Sequence, residues 1–483
     1  MRIRSICAVI LLAWIKFMVL KVSAEYCFDP NILDPRGGKV VNCALVTDIK
    51  SLLKNQQYIK SSAILSFKQN VNMFETTLHC SSTEEICSKV KATFDSAGEI
   101  LSSTINFVEK IKVNATFTPF CEKGYCEDEE ILGSAGPIRF HPMIDDDDMV
   151  RLYPQSLVKQ FQYHTHLEYS QYDIGAIFNS DAKYWFGGEI NIEKNQFDFL
   201  YIILHELIHG LGFGSSWDQY YVGLITPPII NKFNGVKINV ESNNNNNDED
   251  NNNNNNKENS IKFVEWAFDK YVILMENKTK ISSITQELNE FFDQKSLNNI
   301  KINNQRDFEI NFHKSKQFNI AKQMFGLAQT PNTIGFLSKE KDNNNNNINN
   351  SKEKIDNSKD VVILETSFNP FRVASSISHI DNSLYSNTED FLMRPVIMNG
   401  VTLQQEIING GNYSGGPIGP KLKQILETLG YSTKDNPASY RPRVVNPASV
   451  DISIAAPLLM DNVYLEIIFS ILVTLTFHFL IYQ

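Results

Sequence analysis

No cysteine follows residue 126 in this chain of 483 residues, so its longer C-terminal part cannot be stapled by disulfides. Positive charge is the next scarcity. Lysine and arginine total 45 against 55 acidic residues, a net of −10. A chain with so little to attract phosphates is a poor candidate for nucleic-acid binding. No internal repeat is evident. The last apolar run, Ile467 to Tyr482, falls short of the roughly 20 residues of a comfortable spanning helix, and no basic stop-transfer cluster follows it.

The two ends nevertheless carry membrane-handling signals. Residues 1–24 combine Arg2 and Arg4, an apolar stretch from Ile6 to Leu20, and Val22-Ser23-Ala24 before Glu25, the layout of a cleaved signal peptide. The hydrophobic tail 463–483 follows a polar linker at 436–462 and is laid out like a GPI-attachment signal or a retained membrane anchor. The expected location is the secretory pathway and then the cell surface or its exterior, with a membrane surface as a partner. Cys27, Cys43, Cys80, Cys87, Cys121 and Cys126 remain after the signal, an even count that suggests disulfides in an exported chain. Asn114, Asn277, Asn349 and Asn412 each open an N-x-S/T sequon.

Between the ends, residues 25–84 form an N-terminal cysteine-containing segment. Residues 85–103 have helical spacing, with Ile86, Val90, Phe94, Ile100 and Leu101 on one stripe. Residues 110–118, Asp173 to Asn179 and Glu189 to Ile192 read as short strands, in an α/β or α+β order. From 214 to 360 the character changes. Asn243–Asn247, Asn251–Asn256 and Asn343–Asn347 are homopolymeric tracts that cannot build a packed core, whereas 261–275 and 281–294 keep helical patterning. A partly structured insertion with disordered loops is expected. Residues 361–379 return to strand-like composition, and 400–430 is Gly-rich before a short terminal helix. Asp145–Asp148 reads as a solvated loop, because one contiguous carboxylate run lacks the alternating ligands of a calcium loop.

The chemistry concentrates at His205-Glu206-Leu207-Ile208-His209, with Gly212 after it, inside the apolar surroundings of Phe199 to Leu204. Two imidazoles four residues apart share a helix face and can reach one Zn²⁺ through nitrogen at about 2.0–2.1 Å. Glu206 then projects beside the metal, placed to act on water as a general base. A buried helix with two satisfied core histidines shows the same pattern; the strongly apolar helix and Gly212 favour the metal.

Catalytic zinc takes three protein ligands and a water. A compact motif would put the third at Ser215, which cannot serve. Two candidates remain. His379 lies shortly before Met393, as a methionine turn beneath a metal requires. Glu265 has Asp269 four residues on, the look of a gluzincin ligand helix or, more simply, of a solvent face. His79, His141, His164, His166 and His313 receive no role. His79-Cys80 raises the idea of a thiolate switch, against which six pairable cysteines weigh.

From His205 to Phe213 the chain reads H-E-x-x-H-x-x-G-F, and after His379 comes Asp390-Phe391-Leu392-Met393. In both stretches it resembles the leishmanolysin-like metzincin zinc metalloproteases, which also insert a module between the Gly and the third His. The resemblance implies a metzincin-like α/β (α+β) protease domain with a twisted sheet and zinc helix in an upper half, 85–213. The third ligand and Met turn would lie in a lower half, 361–435, with the substrate cleft between. It implies Zn²⁺ held by His205, His209 and His379, Glu206 as the catalytic base, and hydrolysis of a peptide or protein substrate by a zinc-dependent metalloendopeptidase. The chain departs from the family in its longer gap from Gly212 to His379 and in confining its cysteines to the N-terminal region. Other functions share parts of this pattern. A surface adhesion or binding protein with a structural zinc would want a fourth ligand and have no use for Glu206. A gluzincin-type hydrolase would use Glu265, and a hydrolase of non-peptide amides would differ only in cleft shape.

Overall fold

The computed structural model describes residues 25–32, 34–47, 71–121, 131–189, 191–218, 263–292, 305–338, 360–437 and 440–444. They belong to one unit, Ala24–Val444. The expected signal peptide, the Asn tracts, Asn349 and the hydrophobic tail lie outside the described residues. Among the described residues, no helix is long and apolar enough to cross a membrane.

Strands β1 (Glu25–Asn31) and β2 (Asp34–Cys43) form a hairpin joined by Cys27–Cys43, and β3 (Leu45–Thr47) follows. A β–α–β unit comes next: β4 (Phe74–Cys80), helix α1 (Glu84–Thr104) and β5 (Ile111–Thr118), the two strands running parallel. Parallel neighbours need such a crossover. Thr83 caps α1, accepting from Ile86 N, and Glu84 and Glu85 complement the positive helix start. In β5, Ile111, Val113, Ala115 and Phe117 alternate onto the buried face.

β10 (Ile174–Asn179) lies parallel to β5 on its other side, and β6 (Gly133–Pro137) closes the sheet as an antiparallel edge. Helix α2 (Phe199–Gly210) packs on the same sheet as α1. Phe178 stands between them, its ring centroid 5.6 Å from Phe94 of α1 and 5.4 Å from Phe199 of α2. Gly210 permits the close approach of α2: a Cβ there would lie 2.5–2.8 Å from three side-chain carbons of Ile174.

A second sheet runs β16 (Arg443–Val444), β7 (Phe140–Ile144), β1, β2, with β8 (Val150–Pro154) also on β7, and β9 (Thr165–Leu167) pairs with β3. The short pair β11 (Tyr184–Trp185) and β12 (Phe197–Asp198) leads into α2. A third sheet joins β13 (Val272–Leu274), β14 (Ile334–Leu337) and β15 (Val361–Ile363). Helices α3 (Ile281–Asn289), α4 (Gln305–Phe312), α5 (Lys316–Leu327), α6 (Leu403–Asn409) and α7 (Pro420–Leu429) complete a mixed, α+β architecture.

The described parts of 214–360 are structured, consistent with a partly structured insertion, and they are built into the fold. Phe268, Val272, Phe312, Met324 and Phe336 share one continuous core with α1 and α2, and the third sheet runs across the expected boundary at 360. Glu189, Asn191 and Ile192 form no strand; the chain turns at Gly188 (φ +92°), and Glu189 accepts from Lys89 at 3.0 Å. Of 361–379, only the first three residues are strand.

Asp146, Asp147 and Asp148 are exposed in a turn, as a solvated loop should be, but Asp145 is not. Asp145 is fully buried and accepts from Arg151, Lys270, Tyr153 and Tyr440. Arg151 also bonds Asp147 and Glu265. Cations neighbour all four carboxylates of the run, Lys270 also reaching Asp146 and Arg443 reaching Asp148. The cysteines pair as Cys27–Cys43 and Cys80–Cys87, and Cys121 is also disulfide-bonded, so Cys80 offers no switch thiolate.

Two glycines make opposite expectations. Gly210→Ala should destabilise by roughly 1–3 kcal/mol through overpacking against Ile174. Gly326→Ala in α5, where a Cβ meets nothing within 4 Å, should be neutral or raise stability by about 0.5–1 kcal/mol. Thermal melts of the two variants read both effects, and equal shifts would contradict the packing of α2.

Candidate metal centre

Helix α2 is positioned at both ends. Asp198 caps it, one oxygen accepting from Leu200 N at 2.9 Å and the other from Leu403 N at 2.8 Å. Every residue of α2 from Tyr201 to Ile208 is buried. At the C-terminal end the backbone turns at Gly212 with φ +103°, a left-handed conformation that favours glycine. A Cβ there would also come 2.8 Å from Pro154 Cγ.

On this helix the imidazoles of His205 and His209 meet His379, which arrives from the far side of the sequence. The three Nε2 atoms form a triangle: His205 to His379 3.0 Å, His205 to His209 3.2 Å, and His209 to His379 3.2 Å. Each opposite nitrogen lies against a backbone carbonyl. His205 Nδ1 is 2.8 Å from Leu392 O, His209 Nδ1 is 2.6 Å from Phe213 O, and His379 Nδ1 is 3.0 Å from Ser375 O. A carbonyl only accepts, so each Nδ1 carries the hydrogen and each Nε2 presents a lone pair. Three lone pairs pointed at one place repel one another unless a cation sits among them.

The spacing tests the fit. Nitrogens bonded to one tetrahedral zinc at about 2.0–2.1 Å stand roughly 3.3 Å apart, close to the observed triangle. His205, His209 and His379 form the one candidate metal cluster among the described residues, each offering one possible ligand atom. Burial holds the rings neutral, the form that ligates. It lowers His205 to about 3 and His209 to about 4, and His379 also falls well below its ordinary value.

Glu206 is a buried neighbour of the triad, and its Oε2 accepts from Ala135 N of edge strand β6 at 2.7 Å. Burial pushes its carboxyl up to about 8, opposed by the Ala135 bond. A cation beside it acts in the same downward direction as that bond.

Met393 lies fully buried in the 3-10 turn Phe391–Met393, and its carbonyl accepts from Ile380 N, next to His379, at 3.1 Å. The same turn supplies Leu392 O to His205 and takes Tyr201 OH of α2 on Phe391 O. The turn therefore couples His205 and His379 directly.

Glu265 does not join the cluster. Its side chain is fully buried, with Arg151 Nε at 3.1 Å, Ser282 Oγ at 2.7 Å and Thr285 Oγ1 at 2.5 Å. Nor is it a solvent face. Asp269 meets the position of a compact third ligand instead, accepting from Ser215 Oγ at 2.5 Å and from Ser216 N and Oγ. His141 and His166 stand apart near Tyr169, and His79 is exposed. The contributions that residue identity could not reveal are the three carbonyls and the Ala135 amide. Backbone groups leave no mark in a sequence.

A loss-of-ligand pair separates the candidates. His379→Ala should remove most bound zinc. Glu265→Ala should leave zinc near stoichiometric while costing roughly 3 kcal/mol of stability from the broken buried pair. Metal analysis beside a denaturation curve reads both, and zinc loss from folded Glu265→Ala would reverse the assignment.

The family model described as SPBPB7E8-like matches residues 28–449. A Schizosaccharomyces pombe protein, "Uncharacterized protein PB7E8.01", is 25% identical over 427 residues, spanning 83% of this chain and 67% of the relative. No solved structure matches.

Proposed function

We propose that this chain, which belongs to the SPBPB7E8-like family, is a zinc-dependent metalloendopeptidase of the leishmanolysin-like metzincin kind. The observation that carries the reading is the triangle of His205, His209 and His379 Nε2 atoms with Glu206 beside it. Zinc bound there would supply Lewis-acid polarisation of a scissile carbonyl and acidify a water. The chain's own residues do the rest. Glu206 takes a proton from the attacking water and passes it to the leaving amine. The Ala135 N–H holds one carboxylate oxygen so that the other can face the reaction.

Topology supports one placement of the substrate. β6 is a sheet edge beside α2, and an extended peptide can lie along such an edge as an added strand. That geometry favours a peptide or protein segment over a small amide. A structural zinc site would want a fourth protein ligand, and the cluster contains three among the described residues. In this reading the metzincin halves correspond to the sheet with α1 and α2, and to the segment carrying His379 and Met393. The enzyme would work in the secretory pathway or at the cell surface, held to a membrane through the 463–483 tail.

Glu206→Gln should keep zinc and the fold while lowering peptide hydrolysis by about 10²–10⁴-fold. Turnover near that of the unaltered protein, or loss of zinc, would sink the mechanism. For the tail, phosphatidylinositol-specific phospholipase should release active protein from cells. Recovery of the 463–482 peptide from the mature protein would replace the lipid anchor by a retained tail.

A further inference from the structure

We infer that Asp218 is a positioning residue for the third metal ligand, its carboxylate tying the segment that leaves α2 to the loop that delivers His379. The inference rests on the metal-centre reading above. The structural problem is sequence distance: Gly212 and His379 are separated by the whole region that contains the Asn tracts. Something other than chain connectivity must set their spacing.

Two bonds cross that gap. Ala374 N lies 3.1 and 2.9 Å from the two carboxylate oxygens of Asp218, and Ser215 N donates to Ser378 Oγ at 3.2 Å. Ala374 is held at φ +63°, a conformation an alanine rarely adopts without support. Its neighbour Ser375 gives the carbonyl that accepts from His379 Nδ1. The path is therefore short: Asp218 fixes Ala374, Ala374 orients Ser375, and Ser375 O sets the ring of His379. The near side is anchored too, because Asp269 grips Ser215 and Ser216.

A buried carboxylate is a costly way to make such a link. Asp218 is 6% exposed, and burial pushes it up to about 7, with the Ala374 bond opposing. An apolar residue would pack there without that desolvation cost, but it could not accept from Ala374. The acceptor function, rather than packing, accounts for the residue.

The test uses the full-length protein, with zinc affinity from chelator competition, the Co²⁺ d–d spectrum, and melting of metal-free and zinc-loaded forms. Asp218→Ala should weaken zinc on the order of 10–100-fold, as loss of a ligand-orienting contact does, and shift the Co²⁺ bands. Asp218→Asn keeps an acceptor and should restore affinity to within about threefold. Ser378→Ala, which cuts the other tie, should show a smaller loss and serves as the reporter if Asp218→Ala does not fold. Unaltered affinity and spectrum in folded Asp218→Ala, or in Ser378→Ala when that is the reporter, would overturn the inference. So would a lower melting point with affinity unchanged. A wild-type protein that binds no zinc would overturn the metal-centre reading itself.

A separate observation carries a second proposal: the geometry points to Asn277 and Asn412 as N-glycosylation sites, with Asn114 unmodified. Asn277 is exposed in the turn between β13 and α3, its Oδ1 accepting from Thr279 N at 2.9 Å, and Asn412 is exposed in the connection between α6 and α7. Asn114 lies in β5, flanked by β4 and β10, with its Oδ1 buried. Its half-buried side chain on that strand is less accessible to a glycosylating enzyme than the two exposed asparagines. The disulfides fit an oxidising, glycosylating compartment. There the amide Nδ2 displaces the pyrophosphate of a lipid-linked oligosaccharide from its anomeric carbon and loses a proton. Glycopeptide mass spectrometry of the protein from its native host should find sugar at Asn277 and Asn412 and none at Asn114. Occupied Asn114, or bare Asn277 and Asn412, would refute it.

Discussion

Three neutral imidazoles with their lone pairs turned toward one point are an arrangement that a fold must enforce. Left to themselves, the rings of His205, His209 and His379 would rotate apart or seek donors. Each is prevented by a backbone carbonyl, Leu392, Phe213 or Ser375, at its other nitrogen. Those carbonyls belong to three different stretches of chain. Each stretch must therefore be placed to within a fraction of an ångström for the site to exist.

Much of the remaining structure serves that placement. Gly210 lets α2 lie close on Ile174, and Gly212 turns the chain so that Phe213 O faces back to His209. The Phe391–Met393 turn joins His205 and His379 through Leu392 and Met393. Arg394, just beyond it, is itself fixed by Glu406 and by Phe391 O. The region between Gly212 and His379 contributes Asp269 to the segment after the helix and Glu265 to the buried Arg151 cluster. Carboxylates with the look of ligands thus act as supports.

The reading of Glu265 shows why spacing alone misleads. An acid with an aspartate four residues on matched a ligand helix, yet the segment is a 3-10 turn, Ala267–Tyr271, leading into a strand. The i, i+4 relation that would have aligned the two carboxylates never forms. Burial also differed from expectation at Asp145, which Arg151 and Lys270 draw inward while Asp146, Asp147 and Asp148 stay exposed. Charge pattern along a sequence gives no sign of a cation that arrives from elsewhere in the chain.

The local sequence was enough to determine α1 and the strands Ile111–Thr118 and Ile174–Asn179, because period and burial agree within each segment. It also determined that His205, Glu206 and His209 share one helix, since four-residue spacing is a property of the helix itself. His379 and Met393 were legible only as candidates. That His379 and not Glu265 completes the triad was decided by tertiary structure, through the Phe391–Met393 turn, Ser375 O and the tie from Asp218 to Ala374. The same holds for the path of the inserted region into the common core and for Ala135 N on Glu206. These are long-range contacts between backbone groups and distant side chains, and a one-dimensional pattern encodes neither their distance nor their direction.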